Sequence, residues 1–273
     1  MEIKKNSVYS VISLIFLVLI ALLFLFPFYW IVTGSFKPNP NAIPPDWIPK
    51  ALSLKHYVKL FKQPAGIWFF NSVWMSLSSM ALVLITSSMA GYVLAKKRFS
   101  GRKIIFSLLV CAMALPKQVV LVPLVRIMNT IGLYNGLLAV ILPSVGWPFG
   151  VFLMKQFSET LPTELLEAAR IDGAGEARTF LNVVCPIIKP AFGALAIFTF
   201  ISTWNDYFLQ LVMLASRNKL SIALGIATLQ AEMATDFGLI MAGATLGALP
   251  IVIIFIAFQK YFTNGITMGA VKG

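Results

Sequence analysis

Leu161 to Pro190 reads LPTELLEAARIDGAGEARTFLNVVCPIIKP, and the fold turns on how this stretch is read. It is charge-dense in a chain that is otherwise apolar. Glu164, Glu167, Asp172 and Glu176 lie within it and Glu159 just ahead of it, which together are five of the ten acidic residues. Apolar runs press on both sides, so the stretch is too short for a separate enzyme domain and too polar for hydrocarbon. Thr163 is placed to cap a first short helix, Glu164 and Glu167 suit the positive end of its dipole, and Gly173 predicts a left-handed stop before a second helix. Leu165, Leu166, Ala168, Ala169 and Ile171 alternate with charge, a surface that fits a cleft in a soluble partner. The alternative at this point is an ordinary solvated loop.

The remainder of the chain is of a different kind. Of 273 residues, 59% are apolar and only 12% charged, and the mean hydropathy is +0.86. That composition belongs to proteins that cross a membrane several times, each span needing about 20 largely apolar residues. The net charge of +12 does not point to nucleic acid, because Lys and Arg fall mostly at the ends of apolar runs, as membrane topology requires. Two cysteines, Cys111 and Cys185, give neither a disulfide framework nor a metal spacing, and the single histidine, His56, leaves no basis for triad or metal chemistry.

Working outward, six spans are expected, at about 8–32, 68–95, 104–128, 137–154, 187–214 and 238–262, with a loop over 155–186 between the fourth and fifth. The whole is expected to form one transmembrane domain over 1–273. The first span follows Lys4 and Lys5 and ends in Phe28, Tyr29 and Trp30, aromatic rings that favour the membrane interface; it reads as a retained span, with both termini cytoplasmic. Six prolines between Pro38 and Pro64 exclude a long helix there and predict an outer loop with at most short helices. Ser76, Ser79, Ser87, Ser88 and Gly91 give the second span a small-residue middle that allows close helix approach. Lys96, Lys97, Arg98, Arg102 and Lys103 form the strongest inner anchor, whereas five lysines in the Pro-rich loop (Lys37, Lys50, Lys55, Lys59 and Lys62) depart from the positive-inside rule. Pro116, Pro123, Pro143 and Pro148 interrupt the third and fourth spans. An outer loop is expected from 215 to about Phe237 and, with the Pro-rich loop, is the expected docking surface for an extracytoplasmic protein.

The residues at this point carry a resemblance. Glu167-Ala168-Ala169, three residues to Gly173, nine more to Val183, and Pro186 closing the motif are similar to the EAA loop of the membrane subunits of ABC importers, with Val183 and Cys185 standing where aliphatic residues are usual. Thr203-Trp204-Asn205-Asp206-Tyr207 and the tail from Asn264 to Gly273 narrow the resemblance to MalG-like carbohydrate permeases. It covers essentially the whole chain. It implies an all-α integral membrane protein with the type I importer permease fold and a cytoplasmic coupling helix, in a prokaryotic inner membrane. It further implies a second permease subunit forming a heterodimer, two ATPase subunits below, and an extracytoplasmic sugar-binding protein above. Glu167, Ala168, Ala169, Asp172, Gly173, Ala174 and Pro186 would couple to the ATPase, with Glu167 anchoring the loop and Gly173 permitting its turn. Gly269, Ala270, Val271 and Lys272 would contact the ATPase from the tail. No Walker motif occurs in the chain, so ATP and magnesium are expected on the partners, no cofactor here, and no enzyme activity in this chain.

Inside the spans, Lys117 and Asp206 lie at depths that differ by about 7 Å at 1.5 Å per residue, within reach of a lysine stem. They either fix helix packing as an ion pair or, with Asn205 and Trp204, line the solute path. Trp147, Phe149 and Trp204 could stack on sugar rings or simply pack. Two rival functions remain: a permease for another solute, such as glycerol phosphate or amino acids, and a gradient-driven secondary transporter, which leaves the EAA-like loop unexplained.

Overall fold

The structure, a computed structural model, describes residues 8–233 and 236–270, with side chains over 9–233 and 236–259. In chain order the helices are α1 (Val8–Phe36), α2 (Lys55–Phe61), α3 (Ala65–Lys96), α4 (Arg102–Met113), α5 (Lys117–Thr130), α6 (Leu138–Val145), α7 (Pro148–Glu159) and α8 (Thr163–Ile171). There follow α9 (Glu176–Ile187), α10 (Lys189–Trp204), α11 (Tyr207–Met213), α12 (Ile222–Glu232) and α13 (Phe237–Ala270). No strand occurs among the described residues. Among the described residues four helices are long and apolar enough to cross a membrane, and six crossings result if two bent pairs each count as one span.

The bent pairs are where the chain departs from a simple reading of its apolar runs. α4 and α5 meet at 105° across Ala114–Pro116, and α9 and α10 meet at 80° at Ile188. Pro116 and Pro190 explain why neither junction continues as a straight helix, since proline offers no N–H and its ring excludes the preceding turn. The expected third span of 104–128 is therefore two helices. The fourth, expected over 137–154, breaks between α6 and α7 and then runs on to Glu159; the fifth breaks at Asn205 and Asp206. Helix α13 continues to Ala270, past the expected boundary at 262.

The chain divides into two compact units, one of residues 1–65 and 226–248, the other of 66–225 and 249–273. In the first, α1 exposes almost every apolar side chain along its membrane-crossing window, and the Pro-rich segment folds back on the helix end. Trp47 packs against Trp30 and Phe26, Tyr29 Oη donates to Trp47 O at 2.6 Å, and the Lys37 ammonium sits 4.2 Å above the Trp30 ring. His56 is buried, with Nε2 3.1 Å from Lys37 O. Lys59 Nζ lies 2.5 Å from Asp236 Oδ2, and Asp236 caps α13 by accepting from Leu239 N–H. Burial acts to raise the Asp236 carboxyl, but Lys59 and the Leu239 N–H outweigh it, so the group is held below its usual range.

In the second unit α3 and α7 approach closely. A Cβ on Gly91 would stand 2.6 Å from Lys155 N and 2.8 Å from Met154 C, and one on Gly150 would stand 2.5 Å from Ser87 Oγ. The expected outer loop from 215 to 237 is instead largely structured: a 3₁₀ turn at Arg217–Lys219 leads into α12. The reason is Trp68, fully buried, whose indole N–H donates to Arg217 O at 2.6 Å while Asn71 donates to Asn218 O and Leu220 O. Ser72 Oγ then accepts from Ile222 N–H at 2.8 Å.

Candidate functional site

The charge-dense stretch folds as two helices around a tight turn. α8 begins after Pro162, and no side chain caps it, so Thr163 is its first helical residue and not its cap. Its end follows the expected geometry. Gly173 has φ +74°, its N–H donates to Arg170 O at 3.0 Å, and Ala174 N–H donates to Ala169 O at 2.9 Å, the paired bonds of a Schellman turn. Only Leu166 and Ala169 of α8 are buried. Leu166 joins Val83, Tyr92, Met154, Leu161, Val184, Ile188, Ala191 and Leu195 in one apolar cluster, which ties α8 to α3, α7, α9 and α10.

The loop is also tied electrostatically. Lys96 Nζ donates to Glu159 O at 3.2 Å and Leu161 O at 2.5 Å, covering the carbonyls at the end of α7. Lys97 pairs with Glu176, which also accepts from Arg170 Nη2 at 3.3 Å. The hydrogen bond from Lys97 is the main reason the Glu176 carboxyl lies below its usual range. Thus α8 is held by Leu166, Ala169 and the Lys97–Glu176–Arg170 contacts. Glu167 does not anchor the loop within this chain: it is exposed and forms no ion pair among the described residues. Glu164, Glu167, Ala168 and Ile171 face outward together, with Ile171 86% exposed. Asp172 and Gly173 are exposed and Ala174 is half-buried. Pro186 is exposed in α9, whose preceding turn over Phe180–Val184 is a π turn; the wider turn accommodates the bond to Asn182 that proline cannot make. Gly269 and Ala270 are the last helical residues of α13, and Val271 and Lys272 lie outside the described residues.

A second locus lies within the helices. Lys117 Nζ is 3.7 Å from Asp206 Oδ2 and 3.4 Å from Ser202 Oγ, and lies 5.6 Å from the Trp147 ring centroid. Asp206 Oδ1 accepts from Leu209 N–H at 3.3 Å, capping α11 and fixing the carboxylate. These groups border an open cavity of about 310 Å³. Trp204 and Asn205, expected beside them, are not on its wall. Trp204 is 2% exposed, stacked on Phe200 and edge-on to Phe69, while Asn205 is exposed in the break between α10 and α11. A helical count explains the difference: Ser202 and Asp206 are four residues apart and share a face, whereas Trp204 lies on the opposite one. Thr199 and Ser202 also line the cavity and were not singled out from sequence; their spacing of four to Thr203 and Asp206 is the signal that finds them. No cluster of residues able to hold a metal occurs among the described residues.

Known proteins resemble the chain over its length. The family model described as "Binding-protein-dependent transport system inner membrane component" matches residues 87–268. The arabinooligosaccharides transport system permease protein AraQ of Bacillus subtilis (strain 168) is 36% identical, over 98% of this chain and 97% of that one. The lactose transport system permease protein LacG of Rhizobium radiobacter is 31% identical, over 97% and 95%. Among solved structures, a chain of a bacterial ABC transporter involved in import of the acidic polysaccharide alginate superposes with a TM-score of 0.82 at 21% identity, over 96% of this chain and 99% of that chain.

Proposed function

The chain belongs to the family of binding-protein-dependent transport system inner membrane components, and from that premise we propose that it is one of two permease subunits of an importer that carries a neutral oligosaccharide into the cytoplasm. The observation that supports the substrate class is whole-length similarity to permeases named for arabinooligosaccharides and lactose. The second permease forms a heterodimeric pathway with this chain, two ATPase subunits hold the ATP and magnesium, and an extracytoplasmic binding protein delivers the sugar. Both termini are cytoplasmic. This places α8 and the Lys96–Lys103 cluster on the ATPase side, where inner-leaflet topology favours basic residues.

The chemistry of coupling follows from the geometry of the loop. α8 presents Ala168 and the exposed Ile171 between Glu164 and Glu167, so a cleft in the ATPase gains apolar contact and meets two carboxylates. Closure of the ATPase pair moves α8. Because Leu166 is packed among residues of α3, α7, α9 and α10, the motion passes to the membrane helices as a displacement of that cluster. The interrupted helices α4–α5 and α9–α10 provide bends at which the displacement becomes a change of access. The test is to purify the complex from its native membrane, identify the subunits that accompany this chain, and measure ATP hydrolysis with sugar-loaded binding protein. Recovery of the chain alone, transporting sugar without nucleotide, refutes the reading.

A further inference from the structure

Three interruptions of the helical backbone meet at the 310 Å³ cavity. Pro116 and Lys117 come from the α4–α5 bend, Gly146 and Trp147 from the α6–α7 break, and Asp206 from the α10–α11 break. Backbone interrupted within a membrane-crossing element leaves N–H and C=O groups without helical partners, and this is tolerated only where they face protein or a wet cavity. One interruption can be a proline kink. Three on a single wall mark a place built to hold something other than lipid.

The side chains on that wall define what. Ser202, Thr203 and Asp206 lie three, four and seven residues beyond Thr199, so they form one polar stripe that runs along α10 to the N-cap of α11. Lys117 reaches across to the stripe at Ser202 and Asp206, and the remaining lining is largely apolar and includes Trp147. Thr199 is 1% exposed, yet its hydroxyl has no hydrogen-bond partner among the described residues. A buried hydroxyl without a partner is costly, and a turn of the Thr199 side chain toward a ligand hydroxyl in the cavity removes that cost. Lys117 and Asp206 lie 3.7 Å apart and neutralise each other, so the cavity carries no net charge to attract an anion or a cation. Both groups still have hydrogen-bonding capacity left, the ammonium as donor and the carboxylate as acceptor. A volume of 310 Å³ is at the small end of ligand cavities, about 300 to 1,000 Å³.

We propose that this cavity is a sugar subsite carried by this subunit itself, holding one uncharged ring of the transported chain, its apolar face on Trp147 and its hydroxyls on Thr199, Ser202, Lys117 and Asp206. The proposal rests on the carbohydrate-import reading and adds to it where in this chain a ring is held and that the ring is uncharged.

The test uses the assembled importer in proteoliposomes with its binding protein and three labelled probes: arabinotriose, lactose and raffinose. Thr199→Val replaces a hydroxyl that bonds nothing with a methyl of equal size, and Ser202→Ala removes a hydroxyl at the cavity wall, so both variants are expected to assemble. Each is expected to lower the sugar moved per ATP hydrolysed by about three- to tenfold, the loss of one hydrogen bond made in transit. In a second measurement, Ser202→Cys in a background lacking Cys111 and Cys185 is labelled with a membrane-permeant maleimide, and the transported sugar is expected to slow labelling at least threefold. Failure of the wild-type complex to take up any of the three probes overturns the carbohydrate reading. Uptake by the wild type with an unchanged sugar-to-ATP ratio in both variants, or a thiol that the sugar does not protect, overturns the subsite and leaves the import reading standing.

Discussion

Substitution at Gly173 separates the geometry of the coupling turn from its contacts. The residue has φ +74°, and a Cβ built there meets nothing within 4 Å, so in this chain the only penalty for a side chain is conformational. For alanine that penalty is about 1–2 kcal/mol, which lowers the ratio of formed to unformed turn by about 5- to 30-fold relative to the wild type. Asparagine tolerates the left-handed region far better, so Gly173→Asn is expected to retain most of the coupling. Proline fixes φ near −65° and removes the N–H that donates to Arg170 O at 3.0 Å, so Gly173→Pro cannot form the turn at all. The expected order of sugar transported per ATP is wild type, Asn, Ala and then Pro, measured in reconstituted complexes whose subunit stoichiometry has been verified. An assembled Gly173→Pro complex that transports at the wild-type rate refutes the reasoning. Equal losses for Asn and Ala refute the conformational account in particular, because they point to a clash with the ATPase that any side chain would cause.

Gly91→Ala places a methyl 2.6 Å from Lys155 N and 2.8 Å from Met154 C; these are backbone atoms that cannot rotate away, so α3 and α7 must separate, at a cost of about 1–3 kcal/mol read as a lower melting temperature of the purified complex. By contrast, Gly66→Ala, where a Cβ meets nothing, is expected to leave that temperature unchanged. Asp206→Ala removes both the Lys117 partner and the cap on Leu209 N–H, whereas Asp206→Asn keeps the cap, so Ala is expected to destabilise more, by about 1 kcal/mol; equal melting temperatures for the two count against the capping role. Glu176 is held below its usual range by Lys97 and Arg170, so its contribution to loop stability is complete above its unfolded value and is lost as pH falls through the lower folded one. Hydrogen exchange of the α8–α9 segment is therefore expected to accelerate on acidification from pH 6 to pH 3 in the wild type and to change less in Glu176→Gln; identical profiles contradict the assignment.

Much of this was legible in the sequence because it depends on short-range chemistry. Apolar runs of helical length specify spans wherever they occur, which is why α1, α3 and α13 stand close to their expected starts. The left-handed turn at Gly173 follows from one residue's lack of a Cβ and the charge pattern around it. The prolines at 116 and 148 announced interruptions, whereas Pro123 and Pro143, expected to interrupt as well, lie inside α5 and α6. Their outcome was less legible: a proline breaks a helix but does not say at what angle the chain resumes, and 105° at the α4–α5 junction is set by what packs on either side. The internal order of the expected outer loop from 215 to 237 was illegible for the same reason. Its polar residues suit a loop, yet the indole of Trp68, about 150 residues earlier, needs an acceptor and finds it at Arg217 O.

By itself, then, the sequence determined the long apolar runs that become α1, α3 and α13, the polar island that becomes α8 and the start of α9, and the glycine that turns it, because each depends on residues within a few turns of one another. The tertiary structure alone decided which faces those elements show: Glu167 outward and Leu166 inward on α8, Trp204 in the core, and Thr199 with Ser202 on a cavity wall opposite Lys117. A helix has one periodicity and several possible neighbours. Which side of it becomes interior is fixed only when the other helices arrive.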